Sequence, residues 1–432
     1  MFTCHRRDNL PTAYRYLCGL IQSERGNMER MEESVAETDY NALQQFISDS
    51  PWSARSVFDR VAVESSALLG GTGETALIID ESGFAKKGRC SVGVARQWNG
   101  RLGKTDNSQV AVFGALASGE RVVPIDVELF LPKEWTDDPE RCAKAGVPEG
   151  AREHRSKPEL ALEIVQRQRR LGVCFDYICA DGLYGNSGEF CRKLADSGEV
   201  FLMHVHSDQH VYLDDPQPVV PPRRSPRGRT PSRLQAQCEP VRVDELVKEL
   251  APADWERVVV RETTVGPLVV DIHRRQVWVW NGDEEQARLW QLVIRRDCTS
   301  AGDIKYCLTN AQAATSTVTL ARMEAQRFWI ERAFEDAKSE VSMADYQVRN
   351  WLAWHHHMAL VFMAMLFMTR YRMLLNSTVP LLSCHDIRVL LAHFLPRGNA
   401  TTADVLTQLE CRHRKRRSAS RSAARRRLPV ET

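Results

Sequence analysis

The sequence predicts an α/β protein, and three observations carry that prediction. One apolar run, typical of a buried strand, ends at Asp80, and a second ends at Asp181. Between and after these runs, β-rich segments alternate with amphipathic helical patterns. A long helical pattern then begins near Arg327. Strands that alternate with helices in this way predict a sheet whose faces are covered by helices.

The first part of the chain, residues 1–72, is predicted to be a helical domain. Tyr14, Leu17 and Ile21 recur at helical spacing, and Asp39 is placed to cap a second helix. Several short helices in succession are typical of a helix-turn-helix-like DNA reader. A plain helical bundle fits the same pattern, so both interpretations stay open.

Residues 73–212 contain the elements that define the predicted core. Strands are expected at 75–80, 92–98, 110–116, 122–130, 175–180 and 200–206, with helices at 157–171 and 186–195. Apart from one additional β-rich segment before the first helix, this is the order β-β-β-α-β-α-β, followed later by a long helix, of a ribonuclease-H-like fold. The first and fourth strands are neighbours in that fold. Because Asp80 and Asp181 end these two strands, we expect their side chains to meet.

The rest of the chain divides into four segments. Residues 213–235 are rich in proline and arginine and are predicted to be a linker, and residues 236–306 are predicted to be a β-rich insertion. Four strands are expected in that insertion, at 257–261, 268–273, 277–280 and 290–294. Residues 307–395 are expected to complete the core with helices, and residues 396–432 to form a mobile basic tail.

Bulk composition is that of an ordinary soluble protein. The 432 residues are 43% hydrophobic and 26% charged, and the formal net charge is +2. The start of the chain lacks the pattern of a secretory leader, and the 12 cysteines show no repeated metal-binding spacing. The longest apolar run, residues 358–369, is short for a bilayer and favours a buried helix. We therefore expect a cytoplasmic protein that does not enter a membrane.

Positive charge is concentrated in two places. One is the linker, with Arg223, Arg224, Arg227, Arg229 and Arg233, and the other is the tail, where residues 412–427 hold nine Lys or Arg and no acidic residue. Such runs are often only solvated and disordered. Contact with nucleic-acid phosphates is the alternative, because mobile cations near a phosphate backbone are sufficient for it.

Three carboxylates in these elements form a candidate metal site. Arg327, Glu331 and Lys338 fall on one face of the long helix, at spacings of four and seven residues. A solvated, salt-bridged helix surface would explain that face by itself. Together with Asp80 and Asp181, however, Glu331 would complete a set of hard oxygen ligands for two Mg²⁺ ions, with Mn²⁺ able to substitute. Such a site suits phosphodiester cleavage and joining.

The helix segment is similar to a signature of bacterial insertion-sequence transposases of the DDE type, Y-x2-R-x3-E-x6-K. Arg327, Glu331 and Lys338 match its spacing, and Glu324 stands where the signature has tyrosine. Further stretches resemble the DDE-superfamily endonuclease branch of these transposases, so that the resemblance covers roughly residues 10–370. These stretches are residues 80–88, 91–97, 131–135, 145–149, 157–161 and 346–349.

The resemblance implies both an activity and a set of site residues. Asp80, Asp181 and Glu331 would be the catalytic metal ligands, with Arg327 and Lys338 on the DNA backbone. Lys86 and Lys87, which follow the first strand, are further candidates for DNA contact, although an exposed turn explains them equally well. The protein would bind the terminal inverted repeats of its own element as a homodimer on paired ends, cleave there, and join 3′-hydroxyls to target DNA.

Two other interpretations stay open. A related nuclease could cut DNA without transposing, and a catalytically silent protein could retain DNA binding alone. As a transposase, the protein would work in the bacterial cytoplasm, associated with the nucleoid.

Overall fold

The computed structural model of the protein describes residues 2–4, 7–223, 231–263, 266–298, 303–398 and 401–425. Its first elements are two short strands and four helices, and three of these helices begin at a residue whose side chain caps them. Asn27, Asp39 and Ser53 each accept a hydrogen bond from a backbone N–H in the first turn of the following helix. These elements are β1 (Thr3–Cys4), β2 (Arg7–Asp8), α1 (Leu10–Gln22), α2 (Met28–Ser34), α3 (Tyr40–Ser48) and α4 (Ala54–Leu69).

The central elements follow the predicted order. They are β3 (Ala76–Ala85), β4 (Ala95–Asn99), β5 (Lys104–Ser118), β6 (Arg121–Leu129), α5 (Lys133–Thr136), α6 (Pro139–Lys144), α7 (Lys157–Arg170), β7 (Tyr177–Ala180), α8 (Gly182–Gly185), α9 (Gly188–Asp196) and β8 (Phe201–Val205). Strand β5 lies antiparallel between β3 and β6, and β3, β7 and β8 run parallel to one another. The mixed α/β architecture of a ribonuclease-H-like core is thus confirmed.

The β-rich segment is part of the core sheet. It contributes β11 (Glu256–Thr263), β12 (Gly266–Val279), β13 (Arg288–Asp297) and β14 (Ile304–Thr309) to that sheet. Between β8 and β11 the chain also forms β9 (His210–Val211), β10 (Val241–Arg242) and α10 (Val243–Lys248). Because β14 pairs with β8, β11–β14 extend the core sheet to ten strands, in the order β11-β12-β13-β14-β8-β7-β3-β5-β4, with β6 on β5. Within the described residues, β1 pairs with β2 and β9 pairs with β10 in two separate two-stranded sheets.

Two of the strands expected in this segment, at 268–273 and 277–280, are one continuous strand. The polar residues 274–276 suggested a break, but they pair without interruption along β13. An interruption of the apolar pattern therefore marks only an exposed stretch of β12.

Helices complete the molecule. They are α11 (Thr317–Gln326), α12 (Phe328–Glu340), α13 (Trp351–Leu375), α14 (Cys384–Phe394) and α15 (Thr402–Arg425), and single 3₁₀ turns occur at Gly100–Leu102, Glu149–Ala151 and Pro252–Asp254. The long helical pattern that begins near Arg327 corresponds to α12. It ends at Glu340, and Ser342 adopts a positive φ of 57°.

Helix α13 is a core helix that contains the longest apolar run. By length and composition alone it could cross a membrane. In this structure residues 353–362 are all buried, and the helix packs against α1, α3, α4 and β6. The N-terminal helices therefore share one apolar core with the central sheet.

The basic tail departs from the expectation of a mobile segment. Residues 402–425 form α15, whose start is capped when Asp404 accepts hydrogen bonds from Thr401. Arg412 donates to Glu33 of α2 at 2.6 Å, which attaches the helix to the N-terminal unit. Arg224, Arg227 and Arg229 of the linker, and residues 426–432 of the tail, lie outside the described residues.

Candidate active site

Two neighbouring parallel strands place Asp80 and Asp181 side by side. Ile79 of β3 is in register with Ala180 of β7, so the two aspartates follow at equivalent positions. Asp181 ends its strand and caps α8 by accepting a hydrogen bond from the Leu183 N–H at 3.0 Å. Asp80, predicted to end its strand, lies inside it, because β5 continues to pair with β3 as far as Ala85.

A third carboxylate joins this pair. Oxygen atoms of Asp80, Glu81 and Asp181 all lie within 4.8 Å of one another. Strand alternation places adjacent residues on opposite faces, and for that reason the sequence did not associate Glu81 with Asp80. In the sequence, Glu81 could have been associated with the site only because it directly follows Asp80, at the level where the neighbouring strand ends. We call Asp80, Glu81 and Asp181 the carboxylate cluster.

When no cation is bound, repulsion within the carboxylate cluster destabilises the charged forms of its side chains. Burial raises the pKa of Asp80 to about 8, and the nearby charge of Asp181 adds to the shift. Burial and the charge of Glu81 likewise raise the pKa of Asp181. The Arg327 guanidinium opposes both shifts. A bound cation would relieve the same repulsion more completely.

Arg327 links the carboxylate cluster to Glu331. Its guanidinium donates to Glu331 Oε1 at 2.6 Å and lies 3.5 Å from Asp80 Oδ2. A break between α11 and α12 falls at Arg327, although this residue keeps right-handed helical dihedral angles, φ −55° and ψ −34°. The Glu331 side chain is 51% exposed, and within the described part of the chain it is not a member of the carboxylate cluster. The structure thus brings Asp80 and Asp181 together and connects Glu331 to them through Arg327.

The predicted DNA-contacting lysines differ in their surroundings. Lys338 donates to Ser82 Oγ at 2.7 Å and so lies against the strand that carries Asp80. The Lys86 ammonium lies 3.4 Å from the centre of the Tyr346 ring, and burial lowers the pKa of Lys86 to about 8. Lys87 is exposed. Of Lys86 and Lys87, Lys87 is therefore the one whose ammonium group is accessible to a phosphate.

The donor set fits a hard divalent cation. The cluster offers carboxylate oxygens from three residues, and such ligands suit Mg²⁺ or Mn²⁺. The Arg327 guanidinium, which approaches Asp80 and Glu331, provides the positive charge on one side of the site.

The position where the resembled signature has tyrosine is occupied differently here. Glu324 is buried in α11, where its carboxylate contacts Arg295 of β13 and lies 3.2 Å from His204 Nε2 of β8. Burial raises the pKa of Glu324, but His204 and Arg295 outweigh it and lower that pKa to about 2. Glu324 therefore connects the site helix to the extended part of the sheet.

Comparison with known proteins places these residues in a family context. Residues 2–267 match the family described as DDE superfamily endonuclease. A probable transposase for the insertion sequence element IS701 of Microchaete diplosiphon is 29% identical over 207 residues. That alignment covers 46% of this chain and 50% of the relative, so the chain spans about half the length of the curated relative it matches.

Proposed function

The chain belongs to the DDE superfamily endonucleases, and on that premise we propose that it is a metal-dependent DNA transposase. The activity is cleavage at the ends of an insertion sequence followed by joining of the new 3′-hydroxyls to target DNA. Water is the nucleophile in the first step and a 3′-hydroxyl in the second. Neither step requires a covalent bond between protein and DNA.

One observation carries the proposal. Asp80 and Asp181 occupy equivalent positions on adjacent parallel strands, with their oxygen atoms within 4.8 Å of each other. Two partly buried like charges at that distance destabilise the fold unless a cation or a ligand offsets them. Ionisable side chains whose burial and mutual repulsion shift their pKa values are typical of functional sites.

Each predicted site residue has a role in this proposal. Asp80, Asp181 and Glu331 hold Mg²⁺, with two ions in the complete site and Mn²⁺ as a substitute. When bound, the metal supplies an activated attacking oxygen and stabilises the leaving oxygen. Arg327 orients Glu331 at 2.6 Å and balances the charge of Asp80. Lys338, next to Ser82, and the exposed Lys87 contact the DNA backbone.

The DNA partner is held by a wider surface. Residues 1–72 read the terminal inverted repeats, and the exposed basic residues of α15 add contacts to phosphates, which are independent of base sequence. A homodimer brings the two ends of the element together. Lys86 has a smaller part than the sequence predicted, because its ammonium packs on Tyr346.

The proposal is tested by Mg²⁺-dependent cleavage of duplex DNA that carries the element's own ends. The native chain is compared with Asp181→Ala and with Asp196→Asn, a control that alters an exposed carboxylate on α9 paired with Arg288 at 2.6 Å. We expect the native chain and the control to release 3′-hydroxyl ends. The Asp181→Ala variant should bind the same DNA without cutting it.

Three results would contradict the proposal in different ways. Cleavage by Asp181→Ala at the native rate would remove the carboxylate cluster from the chemistry. DNA binding without cleavage by the native chain in Mg²⁺ or Mn²⁺ would favour a silent DNA-binding protein. Cleavage without joining of the 3′-hydroxyls would identify a nuclease that does not transpose.

A further inference from the structure

Glu81 lies in the carboxylate cluster but belongs to neither the predicted ligands nor the resembled signature. Its two oxygens have different partners: Lys157 Nζ donates to Oε1 at 2.9 Å, and the Tyr184 hydroxyl donates to Oε2 at 3.2 Å. Each carboxylate oxygen retains a further lone pair. Ligating carboxylates in metal sites are commonly oriented by second hydrogen bonds of this kind.

The backbone that carries the Lys157 side chain is restrained at the start of a helix. Lys157 is the first residue of α7, where Ser156 and Glu159 form a capping box and Pro158 restricts the backbone. Its ammonium is 5.9 Å from the centre of the Phe130 ring and reaches Glu81 with 16% of the side chain exposed. Such a lysine loses little further freedom when it holds Glu81 in one orientation.

Tyr184 holds Glu81 from the opposite side. The residue lies in α8, three positions after Asp181, and is fully buried against Phe190. Because Asp181 caps the same short helix, a single rigid turn sets the position of Asp181 and of the hydroxyl that contacts Glu81. The chain therefore controls the distance between two members of the carboxylate cluster through α8.

We propose that Glu81 is an additional ligand of the divalent cation, and that Lys157 and Tyr184 are positioning residues that orient its carboxylate toward Asp80 and Asp181. This inference rests on the proposed function, since it assigns further residues to the same metal site. It differs from that function in requiring Glu81, which the Asp80, Asp181 and Glu331 set does not include.

Lys157 gives a test that separates positioning from simple electrostatics. Removal of a positive charge beside a cation site strengthens cation binding if charge alone matters. If Lys157 instead holds a ligand in place, its removal weakens binding, because the oriented ligand is lost. The two accounts therefore predict opposite signs for Lys157→Met.

The experiment measures Mn²⁺ binding to the full chain by electron paramagnetic resonance, without DNA and without an activity assay. We expect Glu81→Gln to weaken Mn²⁺ binding by about 10-fold to 100-fold, and Lys157→Met and Tyr184→Phe to weaken it by about 10-fold. One matched control is Glu163→Gln, on the same helix as Lys157, which removes an ion pair with Arg155. The other is Tyr177→Phe, which removes a 3.4 Å hydrogen bond to the Glu74 carbonyl oxygen. Both controls should bind Mn²⁺ as the native chain does. Circular dichroism spectra establish that each variant is folded.

The outcomes distinguish this inference from the proposed function. Unchanged binding in Glu81→Gln, or unchanged or tighter binding in Lys157→Met, would overturn the inference. If Asp181→Asn still lost Mn²⁺ binding in that case, the proposed metal site would stand without Glu81. Absence of Mn²⁺ binding by the native chain would overturn both.

Discussion

Replacement of Glu324 by glutamine should destabilise the protein although Glu324 is not a predicted metal ligand. The Glu324 side chain is 2% exposed, and its carboxylate contacts the Arg295 guanidinium and approaches His204 Nε2 at 3.2 Å. Glutamine keeps the shape of the side chain and removes its charge. The Arg295 charge, on a side chain only 9% exposed, would then lose its principal buried partner.

The expected loss can be worked out in two ways. The pKa of Glu324 falls from the usual 4.5 to about 2, which corresponds to roughly 3 kcal/mol of folding free energy at neutral pH. Removal of one partner of a buried ion pair costs about 3–5 kcal/mol. Because Arg295 also contacts Asp297 at 2.7 Å, we expect the lower end of that range, about 3 kcal/mol.

The assay is urea-induced unfolding of the full chain at pH 7, followed by circular dichroism. Glu335→Gln is the matched control, because Glu335 pairs with Arg332 at 3.3 Å while its side chain is 71% exposed. A surface pair of this kind contributes less than about 1 kcal/mol. The midpoint should therefore fall clearly for Glu324→Gln and hardly at all for the control.

The pH dependence has a definite sign. The folded pKa of Glu324 lies below its unfolded value, so its stabilising contribution is present above about pH 4.5 and is lost as the pH falls toward about 2. The native chain and Glu324→Gln should therefore become more alike in stability as the pH is lowered through this window. Equal midpoints at pH 7, or a difference that grows on acidification, would refute the reasoning.

Three further predictions concern the site and its surroundings. Lys87→Ala should lower the slope of log Kd for DNA against log salt concentration by about 1, whereas Lys86→Met should leave it unchanged; equal slopes for the two variants would contradict the different surroundings of these lysines. Gly185→Ala should destabilise the protein by at least about 3 kcal/mol, since the new Cβ would lie 1.8 Å from the His204 carbonyl oxygen, and Gly150→Ala, with nothing within 4 Å, is the neutral control in the same urea assay. Asp181→Asn should raise the thermal midpoint of the metal-free protein by relieving repulsion in the carboxylate cluster and should abolish stabilisation by Mg²⁺; a lower metal-free midpoint would argue against that repulsion.

The pairing of Asp80 with Asp181 could be predicted from sequence because it depends only on strand order. Two apolar runs that end in aspartate, in the first and fourth strands of the predicted core, become neighbours in the observed sheet. The helical N-terminal region followed from side-chain periodicity in the same way. Such features are encoded locally and need no knowledge of side-chain packing.

The role of Glu81 in the carboxylate cluster could not be predicted in this way. Because side chains alternate along a strand, Glu81 is predicted to lie on the sheet face opposite Asp80. In the structure β7 ends at Ala180, and the Glu81 carboxylate lies near that of Asp181. The helix break at Arg327 is equally invisible, since no proline or glycine occurs there. These features arise from tertiary contacts between segments far apart in the sequence.

The extension of the sheet by β11–β14 also lay beyond sequence reasoning. The strands could be recognised individually, but the pairing of β14 with β8 depends on which sheet edge is available. For α15, the charge density suggested mobility, whereas a capped start and the contact between Arg412 and Glu33 accompany an ordered helix.

A change of metal specificity at Asp181 tests the central claim most directly. Asp181→Cys replaces a hard oxygen ligand by a thiolate, which binds Mg²⁺ poorly and softer divalent ions such as Zn²⁺ more readily. We predict that this variant does not cleave element-end DNA in Mg²⁺ but regains cleavage in Mn²⁺ or Zn²⁺, while Asp181→Ala is inactive with every ion. Native-level cleavage by Asp181→Cys in Mg²⁺, or equal rescue of Asp181→Ala, would contradict the assignment of Asp181 as a metal ligand.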